Sequence, residues 1–373
     1  MNQTVFTMIN NKPRLLLALF VLLQALSLPA KATKPVDLYS ANVKVSNQSI
    51  KERRSASQDA LAEVFIRASG KAEVVQNQAI RALLSKPDQF ILSYAYQSIA
   101  RAEPLVTTEE SQQQGFVLTL DFDAAQINKS LRAANLPVWG SDRPQILLWW
   151  AVEDESGRRL INSDKDDNAA QIVQRHAKRR GIPIAWPLLD LQDTNRLSVA
   201  DVWGFYSDKV QLASKRYGTQ AILLGQTRKN GQGRWFGSWL VLINQQQFKF
   251  DAHGKDLEAV MQQAMDFAAD KLAEQYAVIK TAAGVDEVIL KVSHVDTLAD
   301  YAELNNYLGG LSAVAQVILK NVDQGTLWYT LKLESDVSNL EKLMRLDKRL
   351  RKQSNMDELI VDESILEYQW RAF

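Results

Sequence analysis

Apolar positions along the chain alternate between strand and helix periods in three successive stretches. In residues 36–140, "DLYSANVKV" alternates with the period of two expected of a strand. The following "SIKERRSASQDALAEVFIRASGK" places Ile50, Ala60, Leu61, Val64, Phe65 and Ala68 on one helical stripe, with Ser49 as its cap and Gly70 as its end. A second helix over "NQAIRALLSKPDQFI", two strands in "YAYQSIARAEPLVTTEE" and "GFVLTLDFD", and a closing helix stopped by Pro137 and Gly140 complete a β-α-α-β-β-α order.

"SDRPQ" at 141–145 has the composition of a linker, and residues 145–280 form a second pattern. "QILLWWAVED" is a continuous apolar run, hence a strand covered on both faces. Helices are predicted over "NAAQIVQRHAKRRG" and "DVWGFYSDKVQLASKRYG", each ended by a glycine, with a short strand "IPIAWPLLD" between them. "AILLGQTRK", "RWFGSWLVLI" and "QFKFDAHG" read as strands. The long helix after them carries Met261, Met265, Ala268, Leu272 and Tyr276 on one stripe. Residues 285–373 repeat the alternation as β-α-β-β-α-β, the ferredoxin-like order, with Asp296 as the expected cap of the first helix. The fold class expected is α+β or α/β, in three small mixed layers in series.

Residues 217–233, "YGTQAILLGQTRKNGQG", have the strongest resemblance to a ligand loop. A phosphate loop needs G-x-x-x-x-G-K-[ST] opening a helix, whose backbone N–H groups meet the anion. Here no such tripeptide follows, and the next element is a strand. Asn230-Gly231 is instead the pair favoured in a type I′ hairpin turn.

The chain is 373 residues long with no cysteine, which excludes disulfides, thiolate metal ligands and a cysteine nucleophile. Its start has the three parts of an export signal: Lys12 and Arg14, the apolar run "LLLALFVLLQAL", and small residues at Ala30 and Ala32. Cleavage is expected after Ala32. Losing the signal removes three cations and no acid, taking the net charge from +1 to −2. Such a balance gives no general field for nucleic acid. No later run approaches the ~20 apolar residues of a membrane helix. The expected location is the periplasm of a Gram-negative bacterium.

Candidate chemistry is sparse. "DKDDN" puts Asp164, Asp166 and Asn168 at positions 1, 3 and 5 of a calcium loop, but Ala169 and Arg175 occupy the positions of the required glycine and glutamate. His176, His253 and His294 have no zinc spacing. A Ser-His-Asp triad assembles in space and stays open, although no G-x-S-x-G elbow exists. Glu153, Asp154 and Glu155 are consecutive and predict a turn with Gly157 rather than opposed acids. The basic run "RHAKRRG" suits a helix C-terminus, with Arg175, Lys178 and Arg179 available to an acidic partner. Seven of nine tryptophans fall between 139 and 239, so either the core or an aromatic groove is tryptophan-rich. Trp186, Trp203 and Trp235 are the candidates for a groove. No cofactor or metal is expected.

Several blocks resemble, in order, the bacterial family called domain of unknown function 2066. They are "LYSANVKVSNQSIKERRSASQDALAEVFIRASGKAEVVQNQAI", "ILLWWAVEDESGRRLI", "LASKRYGTQAILLGQ", "GSWLVL" and "LAEQYAV". The resemblance implies an exported protein of Gram-negative proteobacteria, with no activity or catalytic residue to carry over. Residues 36–140 are also similar to small envelope domains of flagellar accessory proteins. Residues 145–280 are similar to the N-terminal α/β domain of the Tol–Pal propeller protein and of outer-membrane lipoprotein activators. The expected function is a non-enzymatic adapter or accessory factor working through protein contacts in the cell envelope. The alternative is a glycan or small-molecule binder using the tryptophan-rich middle.

Overall fold

The computed structural model describes residues 37–99, 115–280, 287–353 and 365–371. The proposed export signal lies outside the described residues. The described residues pack as one compact unit built around three sheets.

The first sheet has the order β1-β3-β2, from β1 (Ser40–Val45), β2 (Ile91–Ser98) and β3 (Phe116–Phe122), all antiparallel. One face packs on α1 (Ile50–Ser69), α2 (Gln78–Leu84) and α3 (Ala124–Ala133). The stripe of Ala60, Leu61, Val64, Phe65 and Ala68 is buried as the spacing predicts, whereas Ile50 is 74% exposed. Ser49 caps α1 by accepting from the Glu52 N–H at 3.3 Å, and Gly70 ends it in the left-handed region.

The middle sheet has the order β5-β4-β7-β8-β9, with the short β6 beside the start of β4. Its strands are β4 (Ile146–Asp154), β5 (Gly157–Leu160), β6 (Ile184–Ala185), β7 (Ala221–Lys229), β8 (Trp235–Ile243) and β9 (Gln246–Gly254). β4 and β7 are parallel at the centre, and the other long strands are antiparallel to their neighbours. Both faces of β4 are buried. Leu148, Trp150 and Val152 join the core beneath α4 (Asp167–Arg180) and α8 (Leu257–Tyr276). Leu147, Trp149 and Ala151 join the core beneath α5 (Leu191–Arg196), α6 (Val199–Trp203) and α7 (Ser207–Ser214). Trp149 and Trp150 therefore point to opposite faces, as adjacent strand residues must. Their indole N–H groups donate to Ser214 Oγ and Thr227 Oγ1, both at 2.9 Å.

Two local expectations for this sheet change, while the turn expected between the acidic triplet and Gly157 forms and opens a further strand, "GRRL". "DVWGFYSDKVQLASKRYG" is not one helix, because Gly204 and Phe205 (φ 55°) break it between α6 and α7. The β7–β8 connection is a hairpin but not a two-residue type I′ turn. Gly233 (φ 80°) takes the left-handed position, and the Asn230 side chain accepts from the N–H groups of Gln232 and Arg234. The two consecutive left-handed residues of a tight turn are Asn244 and Gln245, between β8 and β9.

The last sheet runs β11-β12-β10-β14-β13, from β10 (Glu287–Ser293), β11 (Val314–Asp323), β12 (Thr326–Leu333), β13 (Leu350–Lys352) and β14 (Ile365–Trp370). α9 (Leu298–Gly310) and α10 (Val337–Met344) complete the expected βαββα order. The end differs from a ferredoxin-like layer. β14 lies between β10 and β13 and is parallel to β10. Thr297, not Asp296, caps α9, in a capping box with Asp300. The cores of the middle and last sheets are continuous.

Candidate functional site

The middle sheet is long enough that α5–α7 cover only part of one face. Beyond Trp149 and Leu240, that face turns polar near the C-terminal ends of the parallel strands. The register aligns Arg158, Glu153, Arg228, Phe236 and His253 in one row across five strands. A parallel row runs through Gln226, Ser238 and Asp251. With Trp203 at one side, these residues line an open pocket of about 400 Å³. Its position outside the carboxyl ends of parallel strands is where α/β sheets usually receive ligands.

Trp203 is placed by α6, a short helix held by a capping box between Ser198 and Asp201 and anchored by buried Val202. Its ring carries the Arg158 guanidinium at 4.1 Å. Arg158 also donates from Nε to Glu153 Oε1 at 3.2 Å. Phe236 is 38% exposed. Arg228 is exposed, and its side chain makes no hydrogen bond or ion pair among the described residues.

Ser238, Asp251 and His253 share this face, but their connection is not that of a nucleophile and its base. Ser238 Oγ donates straight to Asp251 Oδ1 at 2.6 Å. In a triad the imidazole stands between hydroxyl and carboxylate, taking the proton from one and being oriented by the other. His253 forms neither link here; its backbone carbonyl accepts from Gln263 Nε2 at 2.9 Å.

Residues 32–140 match a family model described as a domain of unknown function (DUF8605). That match covers the first sheet and its helices, and it is to this family rather than to domain of unknown function 2066, which the sequence blocks resemble. No curated protein matches the chain.

The candidate residues from the sequence scatter over different surroundings. Trp203 lines the pocket. Trp186 and Trp235 pack partly buried against the core on the opposite side of the sheet. Trp139, Trp149, Trp150 and Trp239 are fully buried, so most of the tryptophan enrichment is core. Arg175 pairs with Glu258, and Arg179 with Asp266 at 2.5 Å, both acids on α8. Lys178 is exposed. The basic run is thus mostly paired within the fold. Buried His176 lies 3.3 Å from Glu258 Oε1, yet burial first, and Arg179 next, hold its pKa below the usual histidine value. Asp166 of the calcium-like stretch is gripped by Arg159 Nη1 at 2.8 and 3.0 Å. Among the described residues, no cluster of three or more His, Asp or Glu could hold a metal.

Phe236, Ser238 and Asp251 belong to no motif, while Arg228 lies in the 217–233 stretch, whose phosphate-loop pattern is incomplete. For Arg228 and Ser238 the available signal is period-two alternation. Each falls on the face of its strand shared with apolar residues, Ile222 and Leu224 or Leu240 and Leu242, where a polar group is out of pattern. The same face of β9 is polar throughout, with Gln247, Lys249 and Asp251.

Another polar cluster is closed on itself. Buried Asp193 accepts from Tyr217 Oη, from the Leu189 N–H at 2.9 Å and from Arg216 at 3.0 Å. Desolvation, then the bond to Asp193, pushes the Tyr217 phenol up to about 12. This network ties α5 to the entry of β7, which explains Arg216 and Tyr217 without a ligand.

Proposed function

We propose that this chain is a non-enzymatic accessory protein of the Gram-negative periplasm, acting as an adapter through protein contacts in the cell envelope. The observation that carries the reading is the wiring of the open face. Its serine hydroxyl is bound to a carboxylate, its histidine side chain bridges nothing, and Arg228 and Phe236 stand open to solvent, where recognition is favoured over chemistry. The amino-terminal pattern supports export, with cleavage after Ala32. The pocket volume favours a second reading, ligand binding by the same face, because it falls within the roughly 300–1,000 Å³ of small-molecule sites.

A photoreactive residue at position 236 tests the adapter reading in living cells, with position 44 on the first sheet as comparison. A single envelope protein crosslinked reproducibly from 236 and not from 44 is the expected result. No crosslink from any surface position, in a protein shown to be exported and folded, sinks it. Amino-terminal sequencing of the exported protein should begin at Thr33.

A further inference from the structure

We propose that the open pocket of the middle sheet binds an acidic sugar, a uronate-type residue whose carboxylate is held by Arg228; this rests on the ligand-binding reading given above. Two guanidinium groups rise from the same face, Arg158 and Arg228, on either side of Glu153. With strands about 4.8 Å apart, their backbones stand about 10 Å from one another. Arg158 spends Nε on Glu153 and its flat face on Trp203. Arg228 keeps its whole donor fork, and a guanidinium fork matches a carboxylate in geometry.

The neighbours narrow the class. Phe236 is the register partner of Arg228 and presents an apolar ring beside the cation. A sugar offers C–H faces to such a ring and hydroxyls around its edge. Asp251, with one oxygen engaged by Ser238, and the Gln226 amide lie in the next row, suited to those hydroxyls. Two carboxylates, Glu153 and Asp251, also line the pocket. A phosphate dianion would face both of them, whereas a uronate brings one negative charge for Arg228 and hydroxyl donors for the carboxylates. Solvent access on one side suits a ligand that stays partly hydrated.

The test titrates the purified protein with galacturonate, neutral galactose and inorganic phosphate, followed by calorimetry and tryptophan fluorescence. The uronate should bind tightest, and added salt should weaken it. Arg228→Ala should lose at least tenfold in affinity at unchanged melting temperature, because this side chain supports nothing in the fold. Phe236→Ala should weaken the acidic and neutral sugars alike, and Trp203→Phe should remove the fluorescence response. Equal binding of the two sugars, unaffected by Arg228→Ala but lost with Phe236→Ala, overturns the acidic-sugar assignment while leaving a ligand site. Phosphate bound more tightly than either sugar overturns it too. If none of the three probes binds, the acidic sugar and the ligand reading beneath it both fall.

Discussion

A methyl group added at Gly225 would sit 2.0 Å from Cζ3 of Trp239, an indole that is 1% exposed and enclosed by the core beneath α8. The ring has nowhere to go. Trp150 lies 6.2 Å away, and Gly237 leaves room on the indole's other side only because it lacks a side chain. Gly225→Ala should therefore destabilise by about 3 kcal/mol through overpacking, read as a fall in melting temperature; an unchanged value would mean that the indole can repack. Three of the four glycines of "YGTQAILLGQTRKNGQG" thus have separate structural causes. Gly218 ends a helical turn, Gly225 makes space for an indole, and Gly233 turns a hairpin. The sequence shows a glycine-rich stretch. It does not show that the atom occupying the space at Gly225 belongs to a residue one strand away.

The α4–α8 pair shows how much of an element the sequence discloses. The buried positions of α4 are Ile172, Val173, His176, Ala177 and Arg180, one continuous helical stripe with a cation at its end. "RHAKRRG" is a basic helix terminus, as its composition predicts, but its cations are not equivalent. Arg180 is fully buried and bonds Asp266 at 3.0 Å, Asp270 at 2.7 Å and the Gly70 carbonyl at 2.8 Å. Arg179, a third exposed, shares Asp266 from outside. Arg180→Ala should cost about 3 kcal/mol by leaving Asp270 and a helix-end carbonyl without their donor and Asp266 with Arg179 alone, whereas Arg179→Ala should cost about 1 kcal/mol or less. Chemical denaturation of the two variants checks this, and equal losses would contradict it. Periodicity alone separates the two arginines. The identity of Asp266 and Asp270 as partners, and the parallel placement of β14, depend on tertiary pairing that no local pattern carries.

At the scale of the whole molecule, the segment with the composition of a linker is a clasp. Arg143 stacks on Trp139 at 4.0 Å and donates to the carbonyls of Arg67, Trp139, Gly140, Arg180 and Gly181. Arg67 reaches the carbonyls of Asp37, Leu38, Ser40 and Arg179. The C-terminal ends of α1 and α4 converge here, and the guanidinium groups satisfy carbonyls that helix ends leave orphaned. "SDRPQ" is polar, so composition marks it as exposed; its acceptors come from residues up to 76 positions away.

Asp142, next to Arg143 in the clasp, turns this burial into a pH dependence. Burial first, and then Asp347, raise the Asp142 carboxyl to about 6, with Arg349 opposing. The folded state thus holds this proton more tightly than the unfolded chain, where the carboxyl titrates near 3.8. Its contribution is most favourable below that value and is lost as pH rises through about 6. His176 has the opposite sign. Its folded pKa is depressed, so its contribution is present above the ordinary histidine value of 6.5 and is lost as pH falls below it. Asp142→Asn removes the first effect alone. At pH 7.5 the variant should be more stable than the parent by about 2–3 kcal/mol, from a shift of about two pKa units at 1.36 kcal/mol each. Near pH 4 the difference should vanish. Melting temperatures of both proteins between pH 4 and 8 decide it: a constant offset across the range would mean that the asparagine acts through packing and not through the proton.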